Sequence, residues 1–421
     1  MNPYLIFILA VIAGGWLLEL VVETLNLRHV SPFPPEEFQG IVDPDQYRLT
    51  GRYLKEKTGF KLSLSSAMTV LTAGFILVSG FNLVDRWARG WGWNEVPTGL
   101  LFAGIVVLLA DLLRAPFSYY STFVIEERYG FNRSTRRTFF LDLVKGLILT
   151  ALIGGPIFAL VIRLFETAGP RAWVYCWAAV TVFQIFLVFI APVTILPLFN
   201  KFTPLPEGEA RNAIEEWARK EKLRLKGIFV MDASRRSTKT NAFFTGLGRS
   251  RRIVLFDTLM EKHSTGELVA VLAHELGHWR QKHILKMTAL SAATSAVMFF
   301  VLSLFIKNEG LFNAFRMEEL SIYASLFFFG FLYAPIESVL GIAKSWISRR
   351  HEYAADRYSA ISTGGPEGLI SALKKLSVEN FTHLDPHPLK VFLFYSHPPV
   401  LERIRTLRKE PTGSVPSAQP V

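Results

Sequence analysis

The sequence predicts a mainly α-helical fold, in which a seven-span transmembrane helical bundle carries a cytoplasmic α+β domain. Half of the 421 residues are hydrophobic, 35 of them are Phe, and the mean hydropathy is +0.29. This composition is typical of membrane proteins. Seven apolar segments have about the 20 residues that a helix needs to cross a bilayer. Two polar stretches are long enough to fold outside it.

The third and the seventh predicted spans are the least uniformly apolar. Asp111 and Arg114 lie in the third span, and Glu337 lies in the seventh. Because a charged group is costly in hydrocarbon, we expect these three side chains to face the bundle interior or a wet cavity. In chain order the spans are residues 4–25, 62–84, 97–117, 143–165, 172–198, 285–306 and 320–342.

The basic residues of the loops predict the orientation in the membrane, since short loops rich in Lys and Arg stay cytoplasmic. They are concentrated in the loops that follow the first and third spans. We therefore expect the N-terminus outside and the C-terminus in the cytoplasm, in the inner membrane of a bacterium or the endoplasmic reticulum of a eukaryote. The two loops carry Arg28, Arg48, Arg52, Lys55, Lys57 and Lys61, and Arg128, Arg133, Arg136 and Arg137.

The chain divides into five predicted regions. Residues 1–198 hold the first five spans, 199–284 a cytoplasmic region, 285–342 the last two spans, 343–410 a second cytoplasmic region and 411–421 a disordered tail rich in Pro and Ser. The pattern of region 199–284 predicts a helix, a strand and a hairpin. These are residues 207–221, residues 227–231, and residues 241–245 joined through Gly248 to residues 253–256.

Cysteine content and charge exclude several classes of function. Cys176 is the single cysteine, so the chain can form no internal disulfide and can hold no zinc on a set of thiolates. The formal net charge is +11, but it is spread over the loops and no nucleic-acid module accompanies it. We expect a lipid bilayer as partner and no nucleic acid.

The segment His274-Glu-Leu-Gly-His278 is an H-E-x-x-H motif. One helical turn separates the two histidines, so both can bind one Zn²⁺ while Glu275 acts as general base on an activated water. Ser264 and Glu267 form a capping box ahead of an apolar helix face, which predicts that the motif is helical. A five-residue match also arises by chance on an ordinary buried helix, so the motif needs further support.

A third ligand is predicted on a later helix, because a zinc site of this kind commonly adds a carboxylate to the two histidines. Glu352 is the candidate, and Asp356 follows one turn later on the same face, where it can hold a ligating histidine from behind. The alternative is a solvated helix with an acidic pair.

The predicted depth of these residues favours the metal site. His278 precedes the sixth span by seven residues (285 − 278), and Glu352 follows the seventh by ten (352 − 342). At 1.5 Å per residue, both then lie roughly 10 to 15 Å from the hydrocarbon core. A transmembrane hairpin would return Glu352 to the level of the histidines, and we expect one Zn²⁺ per chain.

His397 and Arg403 are further candidates, because both can reach the site and stabilise an oxyanion. A loop at a helix start with a surface arginine explains them equally well. His283 and His351 flank the motifs, and we assign them surface roles. The remaining histidines carry no functional signal.

These features together resemble the type I CAAX prenyl endopeptidases, which are seven-span membrane zinc peptidases. The resemblance covers most of the chain, and the stretch 122–132 is its most specific part because soluble zinc peptidases lack it. The matching stretches are residues 116–132, 240–246, 252–258, 274–278, 352–356 and 396–399.

The resemblance implies a cytoplasmic gluzincin-like peptidase domain and removal of the C-terminal tripeptide of prenylated proteins. It implies that His274, His278 and Glu352 bind zinc, that Glu275 is the general base, and that His397 and Arg403 contact the scissile carbonyl. Substrate would be a peptide or protein, prenylated or membrane-associated, aligned on an edge strand that begins at Asn241. The spans would enclose a water-filled chamber.

The edge strand is predicted at Asn241, Ala242, Phe243 and Phe244. Main-chain pairing would hold a substrate independently of its side chains, and the more apolar segment 253–256 is the better interior strand. The alternative is that residues 241–244 pair with residues 227–231, which would leave no free edge.

Two other functions stay open at the level of sequence. A quality-control zinc peptidase of the heat-shock type would share the motif and cleave misfolded membrane proteins. A seven-span transporter would use the charged residues of the spans and need no zinc. The chain end at Val421 lacks a dilysine retrieval signal, which favours a prokaryotic member with a substrate other than prenylated CAAX proteins.

Overall fold

Seven helices in the described chain are long and apolar enough to cross a membrane, as the sequence predicts. The computed structural model describes residues 2–223, 225–245 and 252–409; Gly248 and the predicted tail at 411–421 lie outside the described residues. The candidate spans are Pro3–Arg28, Pro44–Leu77, Glu95–Glu126, Arg136–Thr167, Gly169–Phe199, His283–Ser303 and Ile322–Thr363.

The spans are built from nine of the helices. Two spans contain a π-helical turn, at Ser121–Glu126 and at Thr150–Gly154. The helices are α1 (Pro3–Arg28), α2 (Pro44–Leu77), α3 (Gly80–Arg89), α4 (Glu95–Tyr120), α5 (Arg136–Leu149), α6 (Gly155–Thr167), α7 (Ala172–Thr194), α8 (Leu196–Phe199), α12 (His283–Ser303) and α14 (Ile322–Thr363), of which α3 lies outside the spans.

The strands and the remaining α-helices lie in the two polar regions and the loop between α12 and α14. The strands are β1 (Phe202–Pro204), β2 (Gly227–Met231), β3 (Ala242–Thr245) and β4 (Arg252–Phe256). The helices are α9 (Glu209–Lys220), α10 (Asp257–Lys262), α11 (Thr265–Arg280), α13 (Glu309–Ala314), α15 (Glu367–Glu379), α16 (Pro388–Phe394) and α17 (Val400–Lys409). Short 3₁₀ turns occupy Glu36–Phe38, Gly169–Arg171 and Ala233–Arg235.

Two spans differ from their predicted limits. The second apolar segment is predicted to continue to residue 84, but α2 ends at Leu77 and α3 begins at Gly80. Ser79 between them has φ 60°, a left-handed conformation that ends a helix and that hydropathy does not reveal. The predicted boundary between 342 and 343 falls inside α14, a helix of 42 residues. One element therefore forms the last span and carries Glu352.

The charged side chains within the spans have different environments. Asp111 is partly buried, whereas Arg114 and Glu337 are exposed on the surface of their helices. Their predicted contact with water inside the bundle stays a prediction.

The four strands form one sheet in the order β1-β2-β4-β3. β4 pairs parallel with β2 and antiparallel with β3. Ile253 and Leu255 of β4 are completely buried against α9 and α11. The alternative in which residues 241–244 pair with residues 227–231 is therefore wrong. β3 is an edge strand of the sheet.

Hydrogen bonds from residues 132–133, in the segment that follows α4, connect the sheet region to the membrane helices. Asn132 forms a β-bridge with Ser237, and the backbone N–H of Arg133 donates to the carbonyl of Arg236 at 3.0 Å. The guanidinium of Arg236 in turn binds both carboxylate oxygens of Asp142 on α5, at 2.7 and 3.1 Å. The stretch 122–132 is the part of the resemblance that soluble zinc peptidases lack. Through Asn132 it contacts the region that carries the sheet.

α11 has the predicted start and packs closely on α14. The backbone N–H of Ser264 donates to Glu267 at 2.8 Å, and the N–H of Glu267 donates back to the Ser264 hydroxyl at 3.4 Å, which completes the capping box. Where the helices cross, a Cβ on Gly277 would lie 3.0 Å from Ala355 Cα and 3.0 Å from Tyr358 Cβ. A side chain at position 277 would therefore force α14 to move away by a few tenths of an ångström.

We expect Gly277→Ala to destabilise the protein by about 1–3 kcal/mol, because the added methyl group must push α14 away from α11. The matched control is Gly266→Ala on the same helix, where a Cβ would have no neighbour within 4 Å. Thermal unfolding of both variants measures the difference. Equal melting temperatures would show that the helices tolerate a wider separation.

Candidate metal centre

α11 and α14 bring three potential metal ligands together. The ring nitrogens of His274 and His278 and a carboxylate oxygen of Glu352 all lie within 4.8 Å of one another. The two Nε2 atoms are 3.1 Å apart, and Glu352 Oε1 lies 3.3 Å from His278 Nε2. Glu352 Oε2 lies 3.6 Å from His274 Nε2. Tetrahedral ligands around a zinc-sized ion are about 3.3 Å apart, so the three donors fit one metal ion.

Asp356 holds His274 from behind. Its Oδ1 lies 2.8 Å from His274 Nδ1, which assigns the Nδ1 proton to this hydrogen bond and leaves Nε2 to the metal. Although burial opposes the charged imidazole, hydrogen bonds to Asp356 and Glu352 raise the pKa of His274 to about 9 in the metal-free cluster.

Arg403 on α17 holds Asp356. Its Nε and Nη2 atoms donate to the two carboxylate oxygens at 2.8 and 2.5 Å. This bidentate geometry fixes the orientation of the guanidinium and carboxylate planes. Its Nη1 lies 3.6 Å from Glu352. Only 11% of the side chain is exposed, so the alternative of a surface arginine is wrong.

His397 also lies at the site. Its Nε2 is 3.4 Å from Glu352 Oε1, and 66% of its side chain is exposed. Its Nδ1 contacts the Ser396 hydroxyl at 3.0 Å. The structure thus brings both His397 and Arg403 to the cluster, as the sequence suggests. Their contact with substrate stays a prediction.

Glu275 occupies the motif position next to His274. It is half-buried on α11, and burial raises the pKa of its carboxyl group above the ordinary value. A raised pKa improves a carboxylate as a proton acceptor near neutral pH.

His283 is a site residue that the sequence did not reveal. We expected surface roles for His283 and His351, but His283 is buried and its Nδ1 lies 3.0 Å from Nδ1 of His278. Its ring stacks on that of His351 at 3.9 Å. Lys282, with φ 57°, turns the chain between α11 and α12 and places His283 beside His278. Residue spacing alone does not encode such a turn.

β3 lies beside the motif helix, since it packs against α11. Asn241 is exposed, and its carbonyl accepts from the N–H of Phe256 on β4 at 3.1 Å. Because hydrogen-bonded pairs alternate along an antiparallel ladder, Phe243 also faces β4, whereas the backbone groups of Ala242 and Phe244 face the outer edge. No strand of the described chain covers that edge.

The chain matches two protein-family models and is similar to known proteins along most of its length. Residues 23–201 match the family described as CAAX prenyl protease N-terminal, five membrane helices, and residues 204–411 match peptidase family M48. CAAX prenyl protease 1 homolog of Arabidopsis thaliana is 33% identical, over 95% of this chain and 97% of the plant protein. CAAX prenyl protease 1 of Saccharomyces cerevisiae is 38% identical, over 75% of this chain and 73% of the yeast protein.

A solved structure shows the same fold. The crystal structure of S. mikatae Ste24p superimposes with a TM-score of 0.90 at 33% identity, over 97% of this chain and 99% of that chain. The match includes both the membrane helices and the sheet region.

We expect Glu352→Gln to lower the metal content of the purified protein strongly, because the neutral amide binds a divalent cation less well than the carboxylate. Glu275→Gln, on the adjoining helix, should keep its metal because Glu275 is not among the three clustered donors. Elemental analysis of both variants after identical purification gives the comparison. Full metal occupancy in Glu352→Gln would remove Glu352 from the ligand set.

Proposed function

Since the chain belongs to the CAAX prenyl proteases of peptidase family M48, and is therefore a membrane metalloprotease, we propose that it is a zinc endopeptidase that removes the C-terminal tripeptide of prenylated proteins. The observation that carries the proposal is the convergence of His274, His278 and Glu352 beside Glu275. Relatives named for this activity match almost the whole chain. The identity to them supports the prenylated substrate.

Zinc is the metal that the donor set favours. Two imidazoles and one carboxylate, with a fourth position left for water or substrate, form the usual ligand set of a catalytic zinc ion. When bound, zinc would act as a Lewis acid on the peptide carbonyl and lower the pKa of a water molecule. His274, His278 and Glu352 would hold it, one ion per chain.

Side chains of the protein then transfer the proton of the attacking water and stabilise the negative charge that develops on the carbonyl oxygen. Glu275 accepts the proton of the attacking water and delivers it to the leaving amine. His397 is exposed at the site and can donate to the carbonyl oxygen as negative charge develops. Arg403 uses Nε and Nη2 on Asp356, and Nη1, which lies 3.6 Å from Glu352, is the nitrogen that would contact a substrate carbonyl. Asp356 keeps His274 in the tautomer that a ligand needs.

The substrate is aligned by the outer edge of β3. This strand has no partner on that side in the described chain and lies against the helix of the motif. A peptide added to it forms main-chain hydrogen bonds whatever its side chains are. Asn241, Ala242, Phe243 and Phe244 therefore form the substrate-binding edge, with Ala242 and Phe244 supplying the outward backbone groups.

Of the alternatives, a transporter is inconsistent with the metallopeptidase family. The heat-shock type of peptidase is not favoured, because the match at residues 23–201 is to the five-helix membrane region of the CAAX proteases.

The catalytic region faces the cytoplasm, as the basic loops after the first and third spans support. A cysteine at Glu207, exposed on the sheet side, should react with an impermeant maleimide only from the cytoplasmic face, and one at Asn94 only from the opposite face. Cys176 is completely buried, so background labelling is low. Reversed labelling would invert the orientation.

We expect purified protein with zinc to cut a farnesylated CAAX peptide after its cysteine, and to cut the unfarnesylated peptide more slowly. Mass spectrometry of the products reads both the bond and the lipid preference. Glu275→Gln should reduce the rate by about 10² or more. If the metal-loaded protein cuts neither peptide, the proposed activity is wrong; equal rates would remove the lipid requirement.

We expect Phe244→Pro to raise KM or to abolish cleavage while metal stays bound, because proline removes an outward N–H from the edge. Phe244→Leu is the matched control, since it changes the side chain and keeps the N–H. Kinetics and metal content are measured on both variants. A folded proline variant that cleaves at the parental rate would show that substrate is not aligned on β3.

A further inference from the structure

A cavity lies at the N-terminal end of β3, between the membrane helices and the sheet. Its volume is about 710 Å³, and its walls include Lys57 of α2 and Lys239 just before β3. Lys61 and Lys390 also line it, whereas Glu23 is the one carboxylate among the described residues of the lining. The cavity is thus a positively charged space at one end of the proposed substrate edge.

Two of the lysines are neutralised within the protein. Lys61 binds Glu19 and Glu23, both at 2.9 Å, and Lys390 binds Glu23 at 2.6 Å. Two carboxylates therefore balance two ammonium groups in this half of the cavity.

The other two lysines share a single carboxylate. Glu126, on the π-helical turn after α4, binds Lys57 through Oε1 at 2.9 Å and Lys239 through Oε2 at 3.1 Å. Both lysines also donate to the Tyr53 hydroxyl, at 2.6 and 3.1 Å, and this hydroxyl donates to Glu126 at 2.8 Å. Among the ion pairs of the described residues, one positive charge in this group has no counterion. We call Tyr53, Lys57, Glu126 and Lys239 the lysine cluster.

The excess charge is accessible from the cavity. The side chains of Lys57 and Lys239 are 46% and 35% exposed, so neither is closed off by its partners. Burial, and next the nearby charge of Lys57, lower the pKa of Lys239. An anion that entered the cavity would relieve this repulsion and gain two charge-assisted hydrogen bonds.

The direction of β3 indicates which part of a substrate arrives there. Lys239 precedes Asn241 by two residues, so the lysine cluster lies at the start of the strand. A peptide that pairs antiparallel with β3, the more stable arrangement of two strands, runs in the opposite direction and carries its C-terminal end towards Asn241. The C-terminal side of the substrate thus approaches the cavity.

We propose that Lys57 and Lys239 bind the free α-carboxylate at the C-terminus of the substrate, and so select bonds that lie a short distance from a chain end. This inference rests on the proposed function, because it requires a peptide on the β3 edge. It gives the cavity a role in specificity: a chain that continues past this point would bring no negative charge to the cluster. Glu126 and Tyr53 position the two ammonium groups.

The test compares one farnesylated CAAX peptide with a free C-terminal acid and the same peptide with a C-terminal amide. The wild-type protein should show a KM about tenfold or more higher for the amide, with kcat little changed, because the amide removes a charge that contributes to binding. Lys239→Met and Lys57→Met should raise KM for the acid and reduce the difference between acid and amide. Lys239→Arg should restore the preference in part, since it keeps the charge.

Lys220→Met is the matched control, because this lysine is exposed on α9 and pairs with Glu216 one turn earlier in the same helix. It should leave the acid preference unchanged. Should Lys239→Met fail to fold, Lys57→Met alone decides, because it removes a cation from the same group.

The possible failures are distinguishable. If the wild type cuts neither peptide, the proposed function itself fails. If it cuts the acid and the amide peptides with equal KM, or if folded Lys57→Met keeps the full preference for the acid, the carboxylate assignment is wrong. The proposed protease activity is then unaffected. If phosphatidylglycerol in phosphatidylcholine nanodiscs raises KM for the acid in the wild type but not in Lys239→Met, and the acid preference is absent, the cluster binds a lipid phosphate instead.

Discussion

The contact between α11 and α14 is the constraint on which the rest of the structure depends. Gly277 lets the two backbones approach to a distance at which an added Cβ would be in tight contact with α14, and this approach brings Glu352 to the two histidines of α11. Because α14 is also the last membrane span, its depth in the bilayer and its rotation fix where the carboxylate lies. The candidate metal site and the membrane bundle therefore share one continuous helix.

The carboxylates of Glu352 and Asp356 are buried, and each therefore requires a positively charged partner. Glu352 and Asp356 are almost completely buried, and isolated carboxylates in such surroundings are strongly destabilising. Arg403 compensates Asp356 through two hydrogen bonds, and a metal ion on the three clustered donors would compensate Glu352. The lysine cluster applies the same principle with one cation in excess, and it joins α2, the end of α4 and the start of β3.

Much of this molecule is predictable from local sequence patterns. Seven apolar segments identify the membrane helices because spanning length and hydropathy are properties of short windows. The four-residue spacing of His274 and His278 and the capping box at Ser264 are likewise local, so the helix and the shared face of the two histidines follow from the sequence. Glu352 and Asp356 could be proposed because their spacing also lies within one helical turn.

Only the tertiary structure decides what depends on contacts between distant segments. The edge position of β3 follows from the parallel pairing of β2 with β4, and residue patterns leave that partner choice open. His283 reaches His278 through a left-handed turn at Lys282, a conformation that residue patterns do not encode. The sequence alone determined the helices, the motif and its chemistry, since these are encoded within a few turns. Packing decided the open strand, the outer partners of the histidines and the charged cavity, since each arises where separate segments meet.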